Sequence, residues 1–373
     1  MKRLVVVCNE DALDVTKLSG TPYHMVGALK QRFADLIVER EPWPRWARTI
    51  RNGVLKLTGG ACTPIYWTWL NRALARRLRV RHPNAAFIVP LASNLAAALA
   101  RTNPVINITD AVRKDLEGPY YVPFARMNAR HARLADNIER ESLERARHNS
   151  FSSPWAARGA MLHYGADEMR LSVIPWGCNL NYISLRPAWR RERTCRLLFI
   201  GMEWERKGGD LVLAAARVLE ARGFDFTLDI VGAKPPREVD LGTRIAALGV
   251  LRKNDPEDHA KLDTLLDRAS LLFLPTRADC TPMVFAEANA YGVPAVTCDV
   301  GGVTGVIEHG ANGIVLPADA TEEAMADAIV AIWSDSERYE RMRVSARLHY
   351  EQRLNWAAWA EAISPAVNAL GTT

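Results

Sequence analysis

The chain has 373 residues, and 49% of them are hydrophobic, which is enough for two or three domains with sizeable cores. No apolar run approaches the ~20 residues that a membrane-spanning helix needs, and the short apolar run near Met1 does not predict a signal peptide. The six cysteines form no C-x-x-C motif, so we predict free thiols in a cytoplasmic protein.

Charge is distributed unevenly along the chain. The net charge is +6 overall, but residues 1–180 contain 26 Lys and Arg against 15 Asp and Glu, which gives +11, and the remainder gives −5. An excess of positive charge attracts anions, so the N-terminal half is predicted to face an anionic partner.

The first elements of the chain have the layout of an anion-binding turn. The apolar run Leu4–Val7 predicts a buried strand over residues 2–8, and a helix is predicted from Pro22 to Arg32. Gly20 and Thr21 lie between the two, where backbone N–H groups at a helix start can bind a phosphate that glycine allows to approach closely. The alternative interpretation is an ordinary turn.

Residues 40–81 form a basic segment that is rich in tryptophan. The segment carries ten Lys and Arg and a single acidic residue, Glu41, and its tryptophans are Trp43, Trp46, Trp67 and Trp69. Two interpretations remain open: an element that binds an anionic membrane surface, or a solvated helix over residues 70–80 with packed tryptophans. Nucleic-acid binding is not expected, because no recognised binding motif accompanies the charge.

The rest of the N-terminal half alternates strands and helices. Strands are predicted at residues 87–90 and 105–108. Asp110 follows the second strand, where its carboxylate could accept a hydroxyl proton or cap the next turn. A long charged helix is predicted over residues 124–148, and Ser153 is predicted to cap the helix that follows it.

A second set of strands and helices begins near residue 195. A strand is predicted at residues 196–201, and a loop with the adjacent cations Arg206 and Lys207 leads into a helix. Two cations beside glycines at a helix start suit a diphosphate, whereas the alternative is a basic turn on the surface. The next strand ends at Gly232, beside which a nucleotide base could lie.

The stretch from Leu271 to Pro317 is the most informative part of the chain. It alternates short apolar strands with one helix, predicted to start at Met283. Asp279 precedes this helix and Glu287 lies about two turns inside it, eight residues further along the chain. Backbone N–H groups at a helix start are available to an anion or a hydroxyl. An ordinary βαβ unit with a capping Asp is the alternative.

This arrangement resembles the donor site of retaining GT-B glycosyltransferases of family 4, the glycosyl transferases group 1. The family carries an acid, seven residues, a Glu, a Gly-x-Pro turn and a Gly-Gly turn, here Asp279, Glu287, Gly292-Val293-Pro294 and Gly301-Gly302. At four places where the family usually has Glu, Gly-aromatic-Gly, Arg and His, this chain has Asp279, Cys280-Thr281-Pro282, Met202 and Asp110.

The resemblance implies an α/β protein of GT-B fold, in which two Rossmann-like domains face each other across a cleft. The predicted N-terminal domain covers residues 1–179 and would bind the acceptor. The predicted C-terminal domain covers residues 195–354 and would bind the nucleotide sugar. The final residues, 355–373, are predicted to form a helix that crosses back to the N-terminal domain.

The resemblance also assigns roles to individual residues. Glu287 would accept hydrogen bonds from ribose hydroxyls, while Arg206 and Lys207 would neutralise the diphosphate. Asp279 would hold the sugar hydroxyls, so that Asp110, Arg206, Lys207 and Asp279 form the predicted catalytic set. The predicted donor-binding set is Gly20, Thr21, Gly201, Arg206, Lys207, Gly232, Asp279, Thr281, Pro282, Met283, Val284 and Glu287.

The function implied by the resemblance is transfer of a hexose from a nucleotide-diphosphate sugar to a saccharide or lipid-linked acceptor, with retention of configuration. No D-x-D motif occurs, so neither a metal ion nor another cofactor is expected. The protein is predicted to be cytoplasmic, and to lie on the inner face of the membrane if segment 40–81 binds lipid. A sugar-nucleotide epimerase of the same fold and a nucleotide-sugar-binding protein without catalysis remain as alternatives.

Overall fold

The computed structural model describes residues 3–40, 43–58, 67–117, 127–180, 183, 193–236 and 240–370. The chain divides into two compact units. Unit 1 contains Met1–Pro175 together with Trp356–Thr373, and unit 2 contains Trp176–Asn355. No helix in the described part of the chain combines the length and apolarity that spanning a lipid bilayer requires.

Unit 1 is an α/β unit. Its strands are β1 (Leu4–Val7), β2 (Ile37–Glu39), β3 (Ala86–Pro90), β4 (Val105–Thr109), β5 (His148–Phe151) and β6 (Leu171–Val173). Its helices before the junction are α1 (Thr21–Arg32), α2 (Arg45–Thr58), α3 (Thr68–Arg81), α4 (Ser93–Leu99), α5 (Ala129–Arg145) and α6 (Pro154–Tyr164). Within the described residues the strands form one six-stranded parallel sheet in the order β2-β1-β3-β4-β5-β6.

The central strands of unit 1 confirm the predictions made from short apolar runs. Every residue of β3 and β4 is buried, and so are the last three residues of β1. Strands of a parallel sheet are covered on both faces, so they carry continuous apolar runs and not an alternation of apolar and polar residues. The three predicted strands therefore coincide with the centre of the sheet.

The predicted helix over residues 124–148 is wrong at its C-terminal end, and its first three residues lie outside the described part. Helix α5 ends early because the chain then joins the sheet as β5. Arg147 N donates to Val105 O at 2.9 Å, and Asn107 Nδ2 donates to Asn149 Oδ1 at 3.1 Å. The predicted cap that follows is confirmed, because the Ser153 hydroxyl accepts a hydrogen bond from the first turn of α6.

Unit 2 repeats the architecture with its own sheet. Its strands are β7 (Cys195–Gly201), β8 (Phe226–Gly232), β9 (Ile245–Gly249), β10 (Leu271–Leu274), β11 (Ala295–Cys298) and β12 (Gly313–Leu316). Its helices are α7 (Gly209–Ala221), α8 (Pro256–Arg268), α9 (Met283–Ala290), α10 (Glu322–Ser334) and α11 (Ser336–Gln352). Among the described residues the sheet is parallel, with six strands in the order β12-β11-β10-β7-β8-β9.

The chain returns to unit 1 after α11. The last helix, α12 (Trp356–Ala369), packs against α1, and Arg32 Nε donates to Ser364 Oγ at 3.1 Å. The junction itself belongs to unit 2, because Cys178 N donates to Leu354 O at 2.9 Å and the Cys178 side chain lies in the core of unit 2. Most of the linker expected over residues 179–194 lies outside the described residues.

The sheet of unit 2 gathers its loops at one edge. All six strands run in the same direction, so the loops that follow β7, β8 and β10 leave from the same edge of the sheet. Strand β7 lies directly between β10 and β8 in the spatial order. Ligands of open parallel sheets bind outside the carboxyl ends of the strands, and this edge is therefore where a site is expected.

Candidate active site

A glycine-dependent loop joins β7 to α7. Lys207 N donates to Glu203 O at 2.9 Å, so the loop turns back on itself before the helix begins. Gly208 has a φ of +74°, and a Cβ atom there would lie 2.1 Å from Pro275 O. Glycine alone combines this left-handed backbone with so close an approach to another loop. The loop after β7 is therefore held against the loop after β10.

Lys207 and Asp279 form an ion pair between these two loops. Lys207 Nζ donates to Asp279 Oδ2, and the side chains are only 11% and 10% exposed. The stem of Lys207 lies over Gly201, where a Cβ atom would be 2.8 Å from Lys207 Cγ. An ammonium has three N–H groups, so Lys207 can hold Asp279 and still donate to a phosphate. The ion pair fixes the position of one predicted diphosphate cation.

Arg206, the second predicted cation, is held by its neighbours. Its guanidinium donates to Ala278 O at 2.7 Å and to Glu203 Oε1 at 2.7 Å. The Arg206 Nε atom is buried and has no hydrogen-bond partner among the described residues. Burial acts to lower the pKa of Arg206, but the Glu203 hydrogen bond and the charge of Asp279 together raise it. Arg206 therefore stays a cation beside Lys207.

Glu287 lies at the same edge, inside α9. Its side chain is 1% exposed, and Lys253 Nζ donates to Glu287 Oε1. Helix α9 follows the loop that carries Asp279, whereas Lys253 belongs to the loop after β9, and strands β7 and β8 lie between β10 and β9 in the sheet. The loop after β9 thus reaches across towards α9 to pair a cation with this buried carboxylate. This contact was not predicted from the sequence.

The start of α9 is the helix terminus that is predicted to bind an anion. Its N-cap residue, Pro282, provides no side-chain hydrogen bond to the first turn. The first N–H groups of a helix have no partner inside the helix, so those near Met283 and Val284 are the donors predicted for a ligand. The preceding loop, which contains Thr281, is tied down because Gly302 N donates to the Asp279 carbonyl oxygen at 2.9 Å.

Two glycines remove side chains from the ends of β7 and β8. Gly201 and Gly232 are register partners at the last position of the two strands. Gly232 has a φ of +97°, and a Cβ atom there would lie 2.3 Å from Gly201 O. A side chain at residue 232 would therefore collide with the neighbouring strand. This leaves bare backbone where the resemblance places the nucleotide.

The predicted site residues from Gly201 to Glu287 lie at the ends of β7 and β8, in the loops that follow β7 and β10, and in the first two turns of α9. The remaining predicted residues lie in unit 1. Gly20 has a φ of +80° at the N-cap of α1, and Thr21 is 2% exposed. Asp110 follows β4 and is partly exposed.

Sequence analysis missed two contacts at this edge. One is the contact of Lys253 with Glu287. The sequence shows Lys253 only as a basic residue in the Arg252–Asp255 turn, just before the start of α8. The other is Arg277, which donates two 2.6 Å hydrogen bonds to the Asp210 carboxylate and joins the β10 loop to the start of α7. Its Asp210 hydrogen bond raises the pKa of Arg277 and lowers that of the carboxyl. Neither pairing follows from local spacing.

Across the described ranges, no group of three or more His, Cys, Asp or Glu side chains is placed to hold a metal ion. The charged side chains at the edge are instead paired with each other.

The chain is similar in sequence to known glycosyltransferases. Residues 194–335 match the family described as glycosyl transferases group 1. A D-inositol 3-phosphate glycosyltransferase of Nocardia farcinica is 27% identical over 231 residues, covering 57% of this chain and 50% of the relative. An alpha-D-kanosaminyltransferase of Streptomyces kanamyceticus is 33% identical over 153 residues, covering 40% of this chain and 39% of the relative. The match thus spans about half the length, or less, of these relatives.

Solved structures match over almost the whole chain. Sucrose-phosphate synthase from Thermosynechococcus elongatus superposes with a TM-score of 0.69 at 16% identity, covering 99% of this chain and 98% of that one. The Anabaena protein HepE, in complex with UDP-glucose, superposes with a TM-score of 0.67 at 15% identity, covering 98% and 99%. At these identities the likeness establishes the fold, and the fold predicted from the sequence is confirmed. The chain has the GT-B fold, and its residues 194–335 match the glycosyl transferases group 1 family.

Proposed function

We propose that this protein transfers a hexose from a nucleotide-diphosphate sugar to a hydroxyl group of a saccharide or lipid-linked acceptor, with retention of configuration and without a metal ion. The observation that carries the proposal is the edge of unit 2. There the Lys207–Asp279 pair, Arg206, the start of α9 and the buried Glu287 lie on neighbouring loops. The group 1 family match and the nucleotide sugar bound by HepE support the same activity.

The proposed chemistry requires stabilisation of a departing diphosphate. As the bond between the anomeric carbon and the phosphate oxygen breaks, negative charge grows on the phosphate. Lys207, Arg206 and the N–H groups at the start of α9 are preorganised donors for that charge, because ion pairs and buried backbone hold them in place. The acceptor oxygen bonds to the anomeric carbon on the same face, and its proton passes to the departing phosphate oxygen. Asp279 holds the sugar hydroxyls during this step.

The experiment begins with donor binding. Thermal stabilisation by UDP-, GDP- and ADP-sugars identifies the nucleotide, since a ligand that binds the native state raises the melting temperature. Transfer to candidate saccharide and lipid-linked acceptors then follows by mass spectrometry, with the product anomer assigned by NMR. Binding of no nucleotide sugar would refute the proposal. Donor epimerised without an acceptor would favour an epimerase, and binding without transfer or hydrolysis would favour a binding protein.

We also propose that α2 places the protein on the anionic inner surface of a membrane. The helix has no acidic residue and carries four cations, Arg45, Arg48, Arg51 and Lys56. Its exposed large apolar side chains are Trp46 at 52%, Ile50 at 40% and Leu57 at 87% exposure. Spacings of four and seven residues place these three on one face of the helix. A basic helix with such a face is typical of elements that lie in the lipid headgroup region.

Vesicle flotation tests this surface. Replacing Trp46, Ile50 and Leu57 together by Ser should weaken binding to phosphatidylglycerol-rich vesicles by ~10-fold or more, because their apolar area no longer enters the lipid. Leu162→Ser is the matched control, since Leu162 is 79% exposed on α6 of the same unit. Equal binding of the triple variant and this control would show that α2 is an ordinary solvated helix.

A further inference from the structure

Glu287 is an unusual group to bury. The side chain is 1% exposed in the middle of α9, among the apolar core residues of unit 2. An ionised carboxylate loses its hydration at such a place, so it persists as a carboxylate only if a cation or hydrogen bonds replace the water. Lys253 supplies that cation. Its side chain is 33% exposed, so Lys253 is in contact with solvent although Glu287 is not.

Hydrogen bonds hold the turn that contains Lys253 in place. This turn is closed by the hydrogen bond from Asp255 N to Arg252 O at 3.0 Å. Arg252 N also donates to Asp258 Oδ2 at 3.0 Å, which fastens the start of the turn to the first turn of α8. Asp255 caps α8 by accepting from the backbone N–H groups of its first turn. The turn before the capped helix α8 is therefore fixed, and from it the Lys253 ammonium contacts Glu287 on α9.

We propose that Lys253 is a positioning residue for the nucleotide, acting through Glu287. This inference rests on the proposed function, in which Glu287 accepts hydrogen bonds from the two ribose hydroxyls. A carboxylate can accept from both hydroxyls, and such charge-assisted bonds are stronger than those to a neutral acid. Lys253 pairs with the Glu287 carboxylate and fixes its orientation. The loop after β9 thereby determines the preference for a ribonucleotide.

The Cys178 thiol lies near the Glu287–Lys253 pair but does not replace Lys253. Burial, together with the charge of Glu287, raises the pKa of Cys178, so the thiol remains neutral. With Lys253 removed, Glu287 would lose the cation that orients it, and binding of the ribose hydroxyls would weaken.

Isothermal titration calorimetry with UDP, GDP and ADP, and with their 2′-deoxy forms, tests this inference. Lys253→Met should weaken binding of the preferred ribonucleotide by ~10- to 100-fold and reduce the preference over its 2′-deoxy form. Lys253→Arg should restore most of the affinity, since it keeps a cation at the same place. Lys261→Met is the matched control, because Lys261 is an exposed lysine on α8.

Two further results separate the possible failures. In a Glu287→Gln background, Lys253→Met should add little, because the interaction it supports has already gone. If the unmodified protein binds a nucleotide but Lys253→Met keeps the same affinity and 2′-hydroxyl preference as the control, the role of Lys253 is refuted while the proposed function stands. If the unmodified protein binds none of the nucleotides, the proposed function and this inference both fail.

Discussion

Replacement of Lys207 by Ala tests the central physical argument. The substitution removes one donor from the departing diphosphate and also leaves Asp279, which is 8% exposed, without its cation. Loss of one preorganised donor to a developing oxyanion costs ~100- to 1,000-fold in turnover, or ~3–4 kcal/mol. An unpaired charge in a fully buried site would cost ~3–5 kcal/mol of folding free energy, and the partial exposure here places the loss at the lower end.

The two effects can be separated. The double variant Lys207→Ala with Asp279→Asn removes both charges, so it should recover most of the lost unfolding free energy. Its turnover should stay low, because the diphosphate contact is still missing. Urea denaturation measures the unfolding free energy, and single-turnover transfer at saturating donor measures the chemical step. Lys261→Ala is the control for a lysine on the surface.

One result would refute the reasoning. If Lys207→Ala keeps turnover within ~10-fold of the unmodified protein after its stability is taken into account, Lys207 does not stabilise the leaving diphosphate. A double variant that recovers both stability and turnover would show instead that Lys207 serves only to neutralise Asp279.

Three further predictions concern pH, backbone and metal. Burial raises the pKa of Glu139 from 4.5 to about 7, so its contribution to stability is present at acid pH and is lost as pH rises through 7. Glu139→Gln should remove this pH-dependent loss of unfolding free energy, which is on the order of 3 kcal/mol. Urea denaturation midpoints at acid and at alkaline pH measure the difference. Gly208→Ala should destabilise by ~2 kcal/mol or more, whereas Gly223→Ala, with φ of +67° but open space around its Cβ position, should lose only ~1 kcal/mol. Transfer activity should change by less than ~2-fold in EDTA, and abolition that Mg²⁺ or Mn²⁺ reverses would contradict metal independence.

Local patterns explain why much of the fold was predictable. A run such as Leu271–Leu274 is short, wholly apolar and closed by a proline, which is typical of a strand buried on both faces. The start of α9 and the Ser153 cap follow from side-chain and backbone chemistry within a few residues. The spacing of Asp279 and Glu287 also lies within one loop and one helix, so the chain itself carries it into the structure.

Long-range pairing explains what the sequence did not show. The predicted helix extended to residue 148, but hydrogen bonds to β4 make His148–Phe151 a strand. From the sequence, segment 40–81 was either an element that binds an anionic membrane surface or a solvated helix with packed tryptophans, and the pattern did not decide between them. In the structure, its tertiary setting buries Trp43 and leaves Trp46, Ile50 and Leu57 exposed on one helical face.

The sequence by itself determined the two sets of α/β elements, the glycine-bearing loops and the residues of the donor-site pattern, because each depends on neighbours within about ten positions. Only the tertiary structure decided which charges meet. Lys207 reaches Asp279 across 72 positions and Lys253 reaches Glu287 across 34, because parallel strands deliver distant loops to one edge. The strength of an ion pair depends on the distance between the two charges in space and on their burial. Neither quantity can be read from the spacing of residues along the chain.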